Sequence, residues 1–132
     1  MIEKKPVQIA VYGSLRLNEY NYEAFKRIFG KDFNYIRTTS ILGYNLYDLG
    51  SYPGLKPAAN DTDRVIVDIM ECSEECFNNI QRMEHGAGYI TVKVTEEGTD
   101  NKFPAYVYEY PCDNLVVSGD WSKYLKQEEI VL

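Results

Sequence analysis

Three groups of residues have types and spacings that could do chemistry: Glu84, the run Tyr12-Gly13-Ser14-Leu15-Arg16, and the alternating phenols Tyr106, Tyr108 and Tyr110. Glu84 belongs to the stretch from Ser73 to His85. With Phe77 as origin on a wheel of 100° per residue, Cys76, Ile80 and Met83 fall on the Phe77 side, and Glu74, Glu75, Asn78, Asn79, Gln81 and Arg82 fall opposite. Glu84 breaks the division, because it lies between Phe77 and Ile80 inside the apolar stripe. Two readings stand. In one, the helix has ended and the carboxylate reaches water. In the other it points into the core or a cavity, where burial raises its pKa, makes it find a donor, or both. Gly86-Ala87-Gly88 weighs against the first, because glycines let the chain turn and leave room beside the carboxylate.

Tyr12-Gly13-Ser14-Leu15-Arg16 follows the apolar run Val7-Gln8-Ile9-Ala10-Val11-Tyr12, which reads as a central strand buried on both faces. A glycine at a strand end permits close approach of a ligand to main-chain N–H groups, which can hold a carboxylate or a developing oxyanion. By composition alone an ordinary strand-to-loop turn is the better reading, and the spacing of a P-loop is absent. Arg16 reads as a solvated charge rather than a ligand for a substrate carboxylate. Tyr106, Tyr108 and Tyr110 share one face of a strand, where they could line a pocket or cover a half-exposed sheet. Cys72, Cys76 and Cys112 are an odd number, which argues against a disulfide framework. A zinc site would need all three to converge with His85, the single histidine, so they read as reduced, mostly buried thiols, and no metal is expected.

These groups need elements to hold them. A helix is expected from Tyr22 to Phe29 with Gly30 as its stop. Phe33 to Tyr47 is β-rich with a break at Gly43, and Leu49 to Gly54 reads as a loop with Pro53-Gly54 at the centre of a type II turn. Arg64 to Met70, Tyr89 to Thr95 and Phe103 to Tyr110 read as strands. Ser73 is a good N-cap, and the tail from Trp121 reads as a short helix or extended cover.

The 132 residues carry 14 Lys+Arg against 20 Asp+Glu, with 45% hydrophobic and 26% charged. That suits one domain, 1–132, with one core. The acidic balance argues against a nucleic-acid partner or an anionic membrane surface. With no bilayer-length apolar run and no apolar core behind Lys4-Lys5, the chain reads as cytoplasmic. The sequence carries no signal for an oligomeric state.

The motifs together resemble a known family. Val11-Tyr12-Gly13-Ser14-Leu15-Arg16 resembles the Tyr-Gly-Ser/Thr-Leu signature of the gamma-glutamylcyclotransferase-like family, which includes gamma-glutamylamine cyclotransferases and AIG2-like proteins. Gly43-Tyr44-Asn45-Leu46-Tyr47 with Tyr52-Pro53-Gly54, Met83-Glu84 before a glycine-rich turn and Tyr89, Ala105-Tyr106-Val107-Tyr108, and Ser118-Gly119-Asp120-Trp121 are similar to its later blocks, in order. The resemblance implies an α+β fold, a small mixed β-barrel with flanking short helices. It implies cyclisation of a gamma-glutamyl amine or amide to 5-oxoproline with release of the amine, without a cofactor. Glu84 is then the acid/base, Tyr12, Gly13, Ser14 and Leu15 cradle the glutamyl head, and Tyr108 is the pocket tyrosine, with Tyr106 and Tyr110 on the same face. Two departures stand out: Gln81-Arg82 replaces the usual acidic residues, and the segment Glu84 to Tyr89 is lengthened. The lengthening favours one rival, a non-catalytic small-molecule binding protein of the same fold. Another rival is a cysteine hydrolase using His85.

Overall fold

The computed structural model describes residues 5–129. The elements run β1 (Val7–Val11), α1 (Tyr20–Phe29), a 3-10 turn (Gly30–Asp32), β2 (Phe33–Leu42), β3 (Tyr44–Asp48), β4 (Pro53–Pro57), β5 (Arg64–Cys72), α2 (Glu74–Gly86), β6 (Tyr89–Thr95), β7 (Lys102–Tyr108) and α3 (Trp121–Glu129). Residues 1–4, on which the cytoplasmic expectation draws, and the last three residues of the tail lie outside the described residues. Among the described residues no helix is long and apolar enough to cross a membrane.

The strands make two sheets, β1-β5-β2 and β3-β4-β7-β6. β5 has the run of buried residues that a central strand needs, Val65, Val67, Ile69, Met70 and Cys72, and it pairs antiparallel with both neighbours. β1 is therefore an edge strand by hydrogen bonding, not the central strand its apolar run suggested. Ile9, Ala10 and Val11 are nevertheless buried, because β1 packs against β7 of the other sheet. The sheets are joined at one end by an isolated bridge between Ile41 and Glu96. There Arg37 donates to both oxygens of Glu96, at 3.2 and 2.7 Å, and these bonds hold the Glu96 carboxyl down at about 2. No ladder among the described residues closes the two sheets into the continuous barrel that the resemblance implied. The architecture is an antiparallel three-stranded sheet packed on a mixed four-stranded sheet, with three helices among the described residues on their flanks.

The proline at position 53 does not centre a type II turn. That turn needs a positive φ at Gly54, and the positive φ in this segment is at Gly50, 115°. Pro53-Gly54 instead opens β4, whose Leu55 is fully buried and pairs parallel with Val107. β4 is short and carries proline at both ends, which hides it in the sequence.

One buried carboxylate organises the end of the molecule above β1. Asp68, in the middle of β5 opposite Val11, accepts from the Leu17 N–H at 2.9 Å and from the Thr38 hydroxyl at 2.8 Å. Arg16 stands beside it with Nε 3.3 Å from Oδ2, and donates through Nη1 to Asp120 at 2.8 Å. Asp120 also accepts from the Lys123 N–H at 3.1 Å, at the start of α3. Arg16 is thus not the solvated charge expected: it is 8% exposed and shared between two acids. Gly119 adopts φ 65°, and a Cβ there would meet the Arg64 carbonyl oxygen at 2.5 Å, so the Ser118-Gly119-Asp120-Trp121 block places Asp120 against Arg16 and buries Trp121.

Removing Asp68 takes the acceptor from the Leu17 N–H and the Thr38 hydroxyl and leaves the buried Arg16 with Asp120 alone. Asp68→Ala is expected to lower unfolding free energy in urea by about 3–5 kcal/mol; a loss under about 1 kcal/mol, the scale of an exposed pair, would contradict this role.

Candidate active site

Gly13 sits where β1 runs out and Pro53 begins β4. A Cβ at Gly13 would lie 2.6 Å from Pro53 Cγ, so only glycine lets the two segments meet. From there the chain turns tightly, with Arg16 N–H donating to the Gly13 carbonyl at 3.0 Å and Tyr22 N–H to the Ser14 carbonyl at 2.9 Å. Leu15 anchors the turn in the core at 3% exposure. Asp68 fixes the far end of the turn through Leu17. With the carbonyls so used, the N–H groups of Gly13, Ser14 and Leu15 have no acceptor among the described residues. The Ser14 hydroxyl accepts from Asn21 at 2.7 Å, which leaves its proton free.

These residues form one wall of a cavity of about 260 Å³. The other wall is the C-terminal turn of α2, with Met83, Glu84 and Ala87; Tyr52, Pro53, Tyr89 and Tyr106 complete the lining. α2 reaches this point because Ser73 caps it, accepting from the Cys76 N–H at 3.1 Å, and because Cys76 and Ile80 are buried beneath it. The helix extends through Gly86, and Gly88 then turns the chain at φ 96° into β6. Glu84 is still helical, so the apolar stripe carries it inward rather than out to water.

Burial raises the Glu84 carboxyl from 4.5 to about 7. No side-chain or main-chain donor among the described residues bonds to its carboxylate to offset that desolvation. Three phenols surround it. Tyr12, Tyr89 and Tyr106 all have their pKa pushed up, first by burial and further by the charge of Glu84 in Tyr12, Tyr89 and Tyr106 alike, so all three stay protonated at neutral pH. Their hydroxyls are committed to protein oxygens: Tyr12 to the Tyr106 carbonyl at 2.6 Å, Tyr89 to the Pro53 carbonyl at 2.6 Å, and Tyr106 to Gln81 Oε1 at 2.6 Å. Tyr12 also accepts from Leu55 N–H at 3.3 Å. Its side chain therefore ties β1 to β7 and β4 while its ring lines the cavity.

The cavity brings together Glu84, Tyr12, Gly13, Ser14 and Leu15. Tyr108 does not line it. It packs against Tyr89 at 5.3 Å between ring centroids and against Tyr110 at 5.6 Å, while Tyr106, one pleat deeper on the same face, reaches the cavity. Sequence reasoning also missed Tyr89, Pro53 and Asn21 as lining residues; the close approach at Gly13 was the available signal for Pro53. Among the described residues no Lys, Arg or His lines the cavity, and Arg16 is committed to Asp68 and Asp120. Cys72, Cys76 and Cys112 are not among its lining residues, and the His85 ring bonds Thr91 at 2.8 Å from Nε2 and stands edge-on to the Tyr106 ring at 6.4 Å between centroids. Among the described residues no cluster of His, Cys, Asp and Glu could hold a metal ion.

Comparison with known proteins gives the same outline. The family described as gamma-glutamyl cyclotransferase, AIG2-like matches residues 9–123. A Pyrococcus horikoshii protein, whose curated name provisionally gives it as a gamma-glutamylcyclotransferase, is 30% identical over 127 residues, covering 92% of this chain and 96% of its own. The crystal structure of that archaeal protein superposes with a TM-score of 0.75 at 24% identity, covering 93% of this chain and 96% of the other. A protein specific to uropathogenic E. coli gives 0.76 at 18% identity, covering 92% and 96%. A Mus musculus AIG2-like protein gives 0.62 at 17% identity, covering 81% and 80%. The structural likenesses, all under 25% identical, establish the fold.

A carboxyl whose folded pKa exceeds its unfolded value makes the folded state bind the extra proton, so stability falls as pH rises from about 4.5 to about 7 and is level above. Glu84→Gln removes that penalty. The variant is expected to be more stable than the parent at pH 8, by on the order of 2 kcal/mol, and equal to it at pH 4. Urea melts at the two pH values check this; equal stability at pH 8 would show a carboxylate in contact with water.

Proposed function

The chain belongs to the gamma-glutamyl cyclotransferase, AIG2-like family, and from that premise we propose that it is a cyclising enzyme acting on gamma-glutamyl amines or amides. In the reaction the α-amino nitrogen of the glutamyl group attacks its own γ-carbonyl carbon. A C–N bond forms within the new five-membered ring, the C–N bond to the amine breaks, and 5-oxoproline and the free amine leave. The nucleophile belongs to the substrate, so the protein has to supply geometry, a proton carrier and a place for negative charge.

The observation that carries this reading is a carboxyl held near pKa 7 in the same cavity as main-chain donors without internal acceptors. Glu84 takes a proton from the α-ammonium so that the nitrogen can attack, and returns it to the departing nitrogen; the second proton, shed as the attacking nitrogen becomes the lactam N–H, leaves with the amine as its ammonium. With its pKa near the working pH, it is effective in both directions. The N–H groups of Gly13, Ser14 and Leu15 serve the oxyanion that forms on the γ-carbonyl, or the α-carboxylate. The free proton of Ser14 adds a further donor. With no cation in the lining, the α-carboxylate depends on these neutral donors. The cavity is small beside the roughly 300–1,000 Å³ of drug-sized ligand sites, in keeping with a substrate that folds on itself. Folding the glutamyl chain into attack geometry supplies the proximity term, up to about 7 kcal/mol for a well-aligned pair. The same reading takes residues 1–132 as one domain, acting without a cofactor in the cytoplasm.

Incubation with a panel of gamma-glutamyl amines and peptides is expected to release 5-oxoproline, with kcat/KM rising through an acid limb near 7. Glu84→Gln is expected to lower the rate by about 10²–10⁴ while the protein stays folded. Undiminished turnover in that variant would remove Glu84 from the chemistry. No product from any member of the panel would leave a binding protein of the same fold.

A further inference from the structure

A hydrogen-bond chain runs from the cavity to the surface, and with Gln81 Oε1 facing two hydroxyls the direction of each bond follows. Gln81 stands three residues before Glu84, so the two side chains are neighbours on α2; at about 40° from Phe77 on the wheel, Gln81 borders the apolar stripe and does not lie opposite it as the division by residue type had it. Its Oε1 lies 2.6 Å from the Tyr106 hydroxyl and 2.9 Å from the Thr91 hydroxyl. An amide oxygen has no proton to give, so both hydroxyls donate to it. Thr91 has then used its only proton, and it accepts from His85 Nε2 at 2.8 Å. Tyr106 has used its only proton too. Its phenol oxygen, in a side chain 3% exposed that borders the cavity, keeps only acceptor capacity.

We propose that Gln81 is a positioning residue for the site: by taking the proton of Tyr106 it fixes the phenol as a hydrogen-bond acceptor toward the cavity, which selects occupants that present an N–H there. An acceptor oxygen beside a carboxyl, in a lining without cations, suits an ammonium or amide N–H and disfavours an anionic group. The inference rests on the cyclisation reading for the identity of that N–H, which there belongs to the α-ammonium or to the scissile amide. A neutral amide at position 81 does this without adding a second negative charge beside Glu84. With the Gln81 amide turned the other way, its Nε2 would donate to the phenol and free the phenol proton, reversing the selection.

Gln81→Met keeps the length of the side chain and loses the strong acceptor, Gln81→Glu keeps an acceptor, and Tyr106→Phe removes the phenol oxygen. The readouts are kcat/KM for a gamma-glutamyl amine and the dissociation constant of 5-oxoproline, whose lactam supplies an N–H. Gln81→Met and Tyr106→Phe are each expected to weaken both readouts about tenfold, or roughly 1.4 kcal/mol. Gln81→Glu puts a second negative charge beside Glu84, so it is expected to move the acid limb of kcat/KM to higher pH and to stay within about threefold of the parent above that limb. The Gln81→Met/Tyr106→Phe double variant is expected to be no worse than Tyr106→Phe alone, because both changes remove one shared bond. Losses that multiply in the double variant, or a Gln81→Met variant equal to the parent, would overturn the proposal. A merely structural role would lower the unfolding midpoint without this coupling. If the parent protein binds 5-oxoproline but turns over no gamma-glutamyl amine, the cyclisation reading fails and the dissociation constants still decide the role of Gln81. If it does neither, both fall.

Discussion

Asp68 is the constraint on which the cavity depends. A carboxylate in the middle of a buried strand must have its oxygens matched, or it costs several kcal/mol. It finds its partners in Leu17 N–H, the Thr38 hydroxyl and the flank of Arg16. Those partners hold the end of the turn after β1 against the sheet, while Gly13 lets its beginning lie on Pro53. Pinned at both ends, the turn keeps the N–H groups between them from folding back onto the chain. The same arrangement withdraws the nearest cation, because Arg16 is shared between Asp68 and Asp120.

The opposite wall rests on a different balance. α2 is anchored by its Ser73 cap and by Cys76 and Ile80, and its last turn brings Glu84 into the cavity with no protein donor among the described residues to settle its charge. The phenols nearby would each be able to supply one, but Tyr12, Tyr89 and Tyr106 have given their protons to Tyr106, Pro53 and Gln81 oxygens. A raised carboxyl and unmatched N–H groups are each unfavourable for a folded protein taken alone. Facing one cavity, they form complementary halves of a site for a ligand that carries both an ammonium and a carbonyl or carboxylate.

Much of this was legible in the sequence because it rests on local pattern. The misplaced Glu84 in an apolar stripe, the Ser73 cap and the glycine after β1 all act within a turn or two of chain, and the helix and strand periods expose them. What was not legible depends on pairing between distant segments. Arg16 meets Asp120 across 104 positions, and nothing near Arg16 distinguishes a buried guanidinium from a solvated one. β1 looks like a central strand because its inner residues are buried by a facing sheet, and burial alone does not reveal which edge is hydrogen-bonded. β4 carries no long β-branched run and begins at a proline, so turn chemistry explained it equally well. Tyr106, Tyr108 and Tyr110 share one face, and which of them meets the cavity is set by how far β7 runs past Glu84. The departure at Gln81 was visible, but its meaning depended on Tyr106 and Thr91 coming from two other strands.

The most direct measurement is a crystal structure with 5-oxoproline or a non-reactive gamma-glutamyl analogue bound. The account predicts the ligand in the cavity between β1 and α2, an oxygen of it accepting from the N–H groups of Gly13 to Leu15, and a nitrogen of it within hydrogen-bond reach of Glu84. A ligand bound elsewhere, or one that leaves the Glu84 carboxylate turned out into water, would contradict it.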